Sequence, residues 1–135
     1  MPVVAHVIPV EPTFRSGSEI VRIAYELGRL ELTVRALDGG MAAQVTFAHV
    51  SGFRVLDERD LLNFWPTCST ARGWLFEIAS GGWLDQELQR EGFIMRPTNR
   101  DVTEYFLTGE EDCVNVLARS APAIELLTKD STGDS

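Results

Sequence analysis

Residues 19–65 read EIVRIAYELGRLELTVRALDGGMAAQVTFAHVSGFRVLDERDLLNFW, and the fold is decided in this stretch. Apolar side chains alternate with charged or polar ones in three consecutive segments, which are residues 19–27, 30–36 and 41–47. Such alternation is typical of half-buried strands because successive side chains point to opposite faces of a sheet. Gly28 and the triplet Asp38-Gly39-Gly40 separate the segments with residues that tolerate tight hairpin turns. The stretch therefore predicts an antiparallel three-stranded meander.

The same alternation predicts which side chains of the meander face inward. They are Val21, Ile23 and Tyr25 in the first segment, Leu30, Leu32, Val34 and Ala36 in the second, and Met41, Ala43, Val45 and Phe47 in the third. The third strand is expected to continue through His49, which follows Phe47 by two residues and therefore points to the apolar face. A glycine at position 52 indicates a bulge or bend in the strand. We therefore expect a sheet that curves.

A central helix is predicted directly after the meander, over residues 57–65. Asp57 is a favourable N-cap, and the carboxylates that follow it complement the helix dipole. Two leucines and Trp65 share one helical face, and Pro66 ends the helix. We expect this face to pack on the meander, because a three-stranded sheet is not stable with its apolar face in water.

The rest of the chain predicts further strands and two short helices. A strand at a sheet edge is predicted over residues 3–8. A further strand is predicted over residues 74–78, with Trp74, Phe76 and Ile78 on one face. Two strands over residues 102–108 and 113–118 are predicted to form a hairpin with an acidic tip. Residues 83–90 are predicted to form a short helix, with a strand as the alternative, and residues 121–127 a short closing helix. Residues 128–135 are expected to be a frayed tail. The predicted fold class is α+β: one domain over residues 1–127, with a mostly antiparallel curved sheet of about six to seven strands, one central helix after the third hairpin strand and a short C-terminal helix.

Charge restricts the classes of partner. The net charge is −8, and residues 51–135 hold fifteen acidic against eight basic residues. A phosphate backbone or an anionic membrane surface would be repelled by this field, so we expect no nucleic-acid and no membrane partner, whereas a basic protein would be attracted. The alternative is that the charge only maintains solubility.

The compartment predicted from the sequence is the cytoplasm. No apolar run approaches the roughly 20 residues that span a bilayer, and residues 1–10 lack the features of a signal peptide. Cys68 and Cys113 are the only cysteines, 45 residues apart, and have no metal-binding or redox spacing. Reduced thiols suit this compartment better than a disulfide, which stays open as the alternative.

Motifs for catalysis, metal binding and cofactor binding are not found in the sequence. His6 and His49 are the only histidines and belong to no catalytic pattern, and the glycine pairs lack the spacing of a phosphate-binding loop. Metal-ligand spacings such as HxxxH or CxxC are also missing. We therefore expect no catalytic residue, no metal and no cofactor.

Two sets of candidate site residues remain. The first set would bind a partner through an aromatic anchor and carboxylates, and consists of Trp83, Asp85, Glu87, Glu110, Glu111 and Asp112. The second set would line a ligand pocket inside the curved sheet, and consists of His49, Trp65 and Trp74.

Several stretches in the last two thirds of the chain resemble a pattern in small uncharacterised bacterial proteins, some of which are similar to immunity proteins of polymorphic toxin systems. They are residues 47–58 (FAHVSGFRVLDE), 81–83 (GGW), 104–107 (EYFL), 113–118 (CVNVLA) and 122–124 (PAI). The resemblance implies a protein that neutralises a toxin by binding it, and it brings no catalytic residue.

Three hypotheses of function follow. The first is a non-enzymatic acidic protein-binding domain, of the immunity type, that neutralises a basic toxin. The second is a small-ligand-binding or enzymatic domain with its site inside the curved sheet. The third is a structural homodimer joined through a strand edge such as residues 1–9.

Overall fold

The computed structural model of the chain describes residues 3–10, 14, 17–57, 64, 68, 73–88 and 102–127. Within these ranges the chain forms nine strands and one helix. In chain order they are β1 (Val4–Val7), β2 (Ser18–Glu26), β3 (Arg29–Ala36), β4 (Ala42–Phe47), β5 (Val50–Asp57), β6 (Leu75–Ser80), α1 (Trp83–Leu88), β7 (Thr103–Leu107), β8 (Asp112–Ala118) and β9 (Ala123–Leu127).

The nine strands form two sheets. One has five strands in the order β1-β6-β7-β8-β5, and the other has four in the order β2-β3-β4-β9. Every strand pairing in the two sheets is antiparallel. The predicted antiparallel character is confirmed, but the expectation of one sheet with six to seven strands is wrong, because the chain changes sheets after β1, β4 and β8. Within the described residues the fold is mostly β with one short helix, and not the predicted α+β class.

The predicted meander is confirmed as β2, β3 and β4, with a correction in its first strand. The register of β2 against β3 shifts between Ile20 and Arg22, so Val21 is an extra residue in a bulge. Val21 is therefore exposed, and Ile20 packs against the core with Ile23. A bulge reverses the parity of the residues before it, which alternation alone does not show. Met41 and Tyr25, also predicted to face inward, are both exposed: Met41 precedes β4, and Tyr25 lies near the end of β2.

The main core lies between the two sheets. The four-stranded sheet contributes the buried side chains of Leu30, Leu32, Val34, Val45 and Phe47, and the five-stranded sheet contributes Leu75, Tyr105, Leu107, Val114 and Val116. The rings of Phe47 and Tyr105 meet across the two sheets with centroids 5.2 Å apart. Burial of each large side chain contributes about 1.5–3 kcal/mol, so this layer is the main source of stability.

A second apolar cluster covers the other face of the five-stranded sheet. It contains Phe64, Cys68, Phe76, Phe106 and Cys113, and the two cysteines are buried thiols. Because its strands β6–β8 are buried on both faces, they read as nearly continuous apolar runs. This corrects the predicted shared face in residues 74–78: Trp74 lies in the inter-sheet core, whereas Phe76 and Ile78 lie in the second cluster.

The predicted helix over residues 57–65 lies almost entirely outside the described residues. Asp57 is the last residue of β5 and pairs with Asp112. Phe64 is buried and stacks on Phe106 with ring centroids 4.7 Å apart. Trp65 is outside the described residues.

The predicted closing helix over residues 121–127 is wrong, because the chain there forms strand β9. β9 pairs antiparallel with β4, where Ile124 lies opposite Val45. Without β9 the backbone groups along this edge of β4 would lack partners, and pairing satisfies them. The edge strand β1, the β7–β8 hairpin and the short helix α1 are confirmed. Since α1 has six residues and is the one helix in the described ranges, none of those ranges holds a helix that could cross a membrane.

Candidate binding surface

The helix α1 lies on the outer face of the five-stranded sheet, at the end where β6 finishes and β7 begins. The turn before it contains Gly81, which has φ of 80°, and Gly82. The Asp85 carboxylate accepts a hydrogen bond from the Gly81 amide at 2.6 Å and closes this turn. Trp83, Asp85 and Glu87, three of the predicted partner-binding residues, are therefore brought together on one short helix.

Glu104 of β7 fastens α1 to the sheet. Its side chain is buried, with 1% of its surface exposed. One carboxylate oxygen accepts the Leu84 amide at 2.8 Å, and the other accepts the Trp83 amide at 3.1 Å and the Asn115 side-chain amide at 2.8 Å. Three N–H donors thus occupy both oxygens, as a buried carboxylate requires.

Gly82 allows the start of α1 to lie close to Glu104, because it has no side chain. A Cβ atom at this position would lie 2.8 Å from both Glu104 carboxylate oxygens and 2.8 Å from Ile78 Cγ2. Real Cβ atoms do not approach other atoms so closely, so any larger residue would push α1 away from β7. The glycine is needed for space at this position.

Arg54 of β5 joins Glu104, Asn115 and Trp83 in a group of contacting residues that we call the α1 cluster. Its Nε donates to Asn115 Oδ1 at 3.1 Å, so Asn115 bridges Arg54 and Glu104. The Arg54 guanidinium carbon lies 5.1 Å from the centroid of the Trp83 ring, which is within the range of a cation–π contact. On the helix itself, Trp83 Nε1 donates to Glu87 at 3.0 Å. The indole is therefore held at its ring and at its nitrogen.

The ionisation of the cluster follows from its burial. Burial raises the pKa of Glu104 above its ordinary value, and the amide donors, Asn115 and the charge of Arg54 oppose this rise. Burial also lowers the pKa of Arg54, against the opposing charges of Glu104 and Glu87. Each charge thus favours the ionised form of the other.

The arrangement can fix a surface residue in place but offers little for catalysis. Both oxygens of Glu104 already accept hydrogen bonds from the chain's own N–H groups, so this carboxylate has no oxygen left without a donor. Trp83 is half-buried and keeps part of its surface accessible. A rigid tryptophan next to an arginine is the type of pair that anchors protein interfaces.

The second group of predicted partner-binding residues lies at a separate place. Glu110, Glu111 and Asp112 are exposed at the tip of the β7–β8 hairpin, and none of the three forms an ion pair with any described residue. Within β8, Asp112 precedes Leu117 by five residues, and Leu117 lies opposite Glu104 of β7. At about 3.3 Å per residue, about 17 Å of strand separates the hairpin tip from the base of α1.

The residues predicted to line a ligand pocket do not come together. His49 is exposed in the β4–β5 turn with φ of 56°, which corrects its predicted place on the apolar face. Its carbonyl accepts the Arg119 amide at 3.3 Å, beyond the last residue of β8. The Trp74 carbonyl instead accepts a hydrogen bond from the amide of Thr108, which follows the last residue of β7 at the hairpin tip. His49 and Trp74 therefore lie at opposite ends of the five-stranded sheet, and Trp65 is outside the described residues.

A depression of about 270 Å³ occurs at the turn that joins β2 and β3. Its lining residues are Arg22, Ala24, Tyr25, Glu26, Arg29 and Glu31. Both arginines are exposed and face the same carboxylate, since Arg29 lies 3.1 Å and Arg22 3.9 Å from Glu31. These charges compensate one another, so the depression has no clear preference for a charged ligand.

Sequence reasoning missed three members of the α1 cluster, namely Arg54, Glu104 and Asn115. The available signal was a carboxylate within the apolar run of residues 102–107 and an amide within the apolar run of 113–118. Buried polar residues usually have partners, so each indicated a hydrogen-bonded contact without naming it.

No protein-family model, curated protein or solved structure matches this chain. The interpretation of the cluster therefore depends on its geometry and charge.

Proposed function

We propose that this protein is a non-enzymatic acidic binding domain of the cytoplasm, of the immunity type, that neutralises a basic toxin domain. The observation that carries the proposal is the fixed position of Trp83, with Arg54 at its ring and the carboxylates of Asp85 and Glu87 on the same helix. An aromatic anchor fixed before binding loses little conformational freedom in the complex, which favours affinity.

Electrostatics support a basic partner. The net charge of −8 attracts a cationic domain over a distance, and the exposed carboxylates of Glu110, Glu111 and Asp112 add local field at the hairpin tip. Such charges mainly raise the association rate, whereas a buried anchor mainly lowers the dissociation rate. In this proposal Trp83 lowers the dissociation rate, and the carboxylates of the hairpin tip raise the association rate.

A ligand site between the sheets has less support. Large apolar side chains such as Leu32, Phe47 and Leu107 fill the inter-sheet layer and are fully buried. The homodimer through the edge of β1 stays a prediction, and light scattering combined with size-exclusion chromatography tests it directly.

The test begins with the gene next to this one. We expect it to encode a basic toxin domain, and we expect co-expression of this chain to restore growth of a bacterial host that the toxin domain arrests. Calorimetry on the purified pair should then show that Trp83→Ala weakens binding about 30-fold, the effect of losing an anchor worth about 2 kcal/mol.

Tyr25→Ala is the matched control, because Tyr25 is an aromatic residue on β2 with 52% of its surface exposed, and its described ring contact is with Phe53. It should leave the dissociation constant within about twofold. Replacing Glu110, Glu111 and Asp112 by their amides should slow association at low salt and have little effect at high salt. A neighbouring gene without a toxin domain, or a toxin domain bound equally well by Trp83→Ala, contradicts the proposal.

A further inference from the structure

We infer that Glu104 is a positioning residue for the proposed binding surface formed by Trp83, Asp85 and Glu87. It does not touch the partner, but it determines whether Trp83 is held in the orientation that binds. The part of this inference that concerns binding rests on the proposed function. The part that concerns α1 stands on the geometry of the free protein.

The first step is that Glu104 makes the two described hydrogen bonds between the backbone of α1 and the sheet. It has six residues, too few to be stable alone in water. Two of its first amides, those of Trp83 and Leu84, bond to Glu104. Arg54 of β5 adds a cation–π contact with Trp83 and a charge interaction with Glu87. Loss of the carboxylate would therefore remove the main polar link between helix and sheet.

The second step is that the hydrogen bonds at the start of α1 require a carboxylate, and not only a side chain of the same shape. A carboxylate presents two acceptor oxygens, which here meet two backbone N–H groups and the Asn115 side-chain amide. A glutamine of the same shape has one oxygen and one NH₂ group, so at least one N–H donor would face another donor. Glu104→Gln therefore changes the contacts of α1 without changing side-chain volume.

The third step is that the change reaches Trp83 through two routes. At least one N–H donor, from the backbone of Trp83 or Leu84 or from Asn115, loses its acceptor, and Arg54 loses the buried counter-charge that favours its place beside Asn115 and the indole. Both routes loosen the contact between the indole and the guanidinium. The inter-sheet core is on the other face of the sheet and is not part of either route.

The experiment uses nuclear magnetic resonance on the full chain without a partner. In Glu104→Gln we expect the amides of Trp83 and Leu84 to exchange about ten- to a hundredfold faster, the effect of losing hydrogen bonds to a charged group. The amides of Val114 and Val116 should keep their exchange rates within about twofold. The Arg54 Nε–H resonance should also lose the ring-current shift caused by the Trp83 indole, a signature that a general loss of stability would not produce.

Glu77→Gln is the matched control, since Glu77 is an exposed glutamate on the neighbouring strand β6. It should change neither readout. If Glu104→Gln fails to fold, Gly82→Ala tests the same contact from the side of α1, because its Cβ would meet both Glu104 oxygens and Ile78 Cγ2 while the carboxylate itself is kept. Unchanged exchange at Trp83 and Leu84 in a folded variant of either kind overturns the inference.

Binding measurements separate the inference from the proposed function. If Glu104→Gln loosens α1 and weakens the toxin complex as Trp83→Ala does, both hold. If Glu104→Gln loosens α1 but neither variant weakens the complex, the positioning of Trp83 holds and the proposed surface is wrong. If Trp83→Ala weakens the complex and Glu104→Gln leaves both α1 and the complex unchanged, the surface holds and the inference is wrong.

Discussion

At the scale of single residues, backbone strain is concentrated where a side chain other than glycine takes a left-handed conformation. Leu27 has φ of 47° in the β2–β3 turn, and 95% of its surface is exposed. This conformation costs a branched residue about 1–2 kcal/mol, and the exposed side chain returns nothing in burial. Asparagine tolerates the same conformation.

We therefore expect Leu27→Asn to raise the free energy of unfolding by about 1 kcal/mol, measured by urea denaturation. Leu37→Asn is the control, because Leu37 is also a turn leucine but is not among the residues with positive φ. The control should not stabilise the protein. Equal effects of the two substitutions would mean that lower surface hydrophobicity is the cause, and not relief of strain.

The buried carboxylate of Glu104 predicts a pH dependence. Burial raises its pKa above the ordinary value of 4.5, so the folded state holds this proton more tightly than the unfolded state. The stabilising contribution of the group is therefore complete below the unfolded pKa and is lost as the pH rises through the folded pKa. Glutamine does not titrate, so the stability difference between the wild type and Glu104→Gln should shrink from about pH 4 to neutral pH.

Denaturation of both proteins at a series of pH values measures this difference. A difference that grows with pH would mean that the three N–H donors and Arg54 outweigh burial and lower the pKa. The global measurement and the exchange experiment on α1 address different states, since the first compares folded with unfolded chains and the second compares closed with open α1.

At the scale of elements, local pattern was sufficient for β3 and β4, which alternate without a bulge. Alternation placed β3 and β4 and their inward side chains, and the glycine turns placed the hairpins between them. It was insufficient for residues 123–127, because AIELL is compatible with a short helix or a strand, and the open edge of β4 decides between them. It was insufficient for Glu104 as well, since its partners on α1 are about 20 residues away in sequence.

A prediction about β9 follows at the same scale. A chain that ends before Ala123 leaves Val45 and its neighbours on β4 at an open edge, so we expect it to unfold at lower urea concentration and to associate through that edge. Ending the chain after Leu127 is the matched control. Urea denaturation and light scattering check both chains, and an unchanged midpoint in the shorter one would show that β9 adds nothing to the four-stranded sheet.

At the scale of the whole molecule, charge leads only to the expectation of a basic partner, whereas the arrangement of two sheets depends on contacts that no local pattern contains. The chain visits the five-stranded sheet, then the four-stranded one, then the five-stranded one again, and returns to the four-stranded sheet only in β9. Trp83 could be chosen as a candidate from its type and its neighbouring glycines. The cluster that holds it was not, because its members come from β5, β7 and β8.

The late arrival of β9 has a consequence for biosynthesis. Its partner β4 emerges from the ribosome roughly 75 residues earlier, which corresponds to about 4–15 s at ordinary rates of translation. During that interval the hydrogen-bonding groups along this edge of β4 face solvent, where a chaperone or another nascent chain can pair with them. Faster elongation through residues 48–122 should therefore increase the yield of correctly folded protein in the cell.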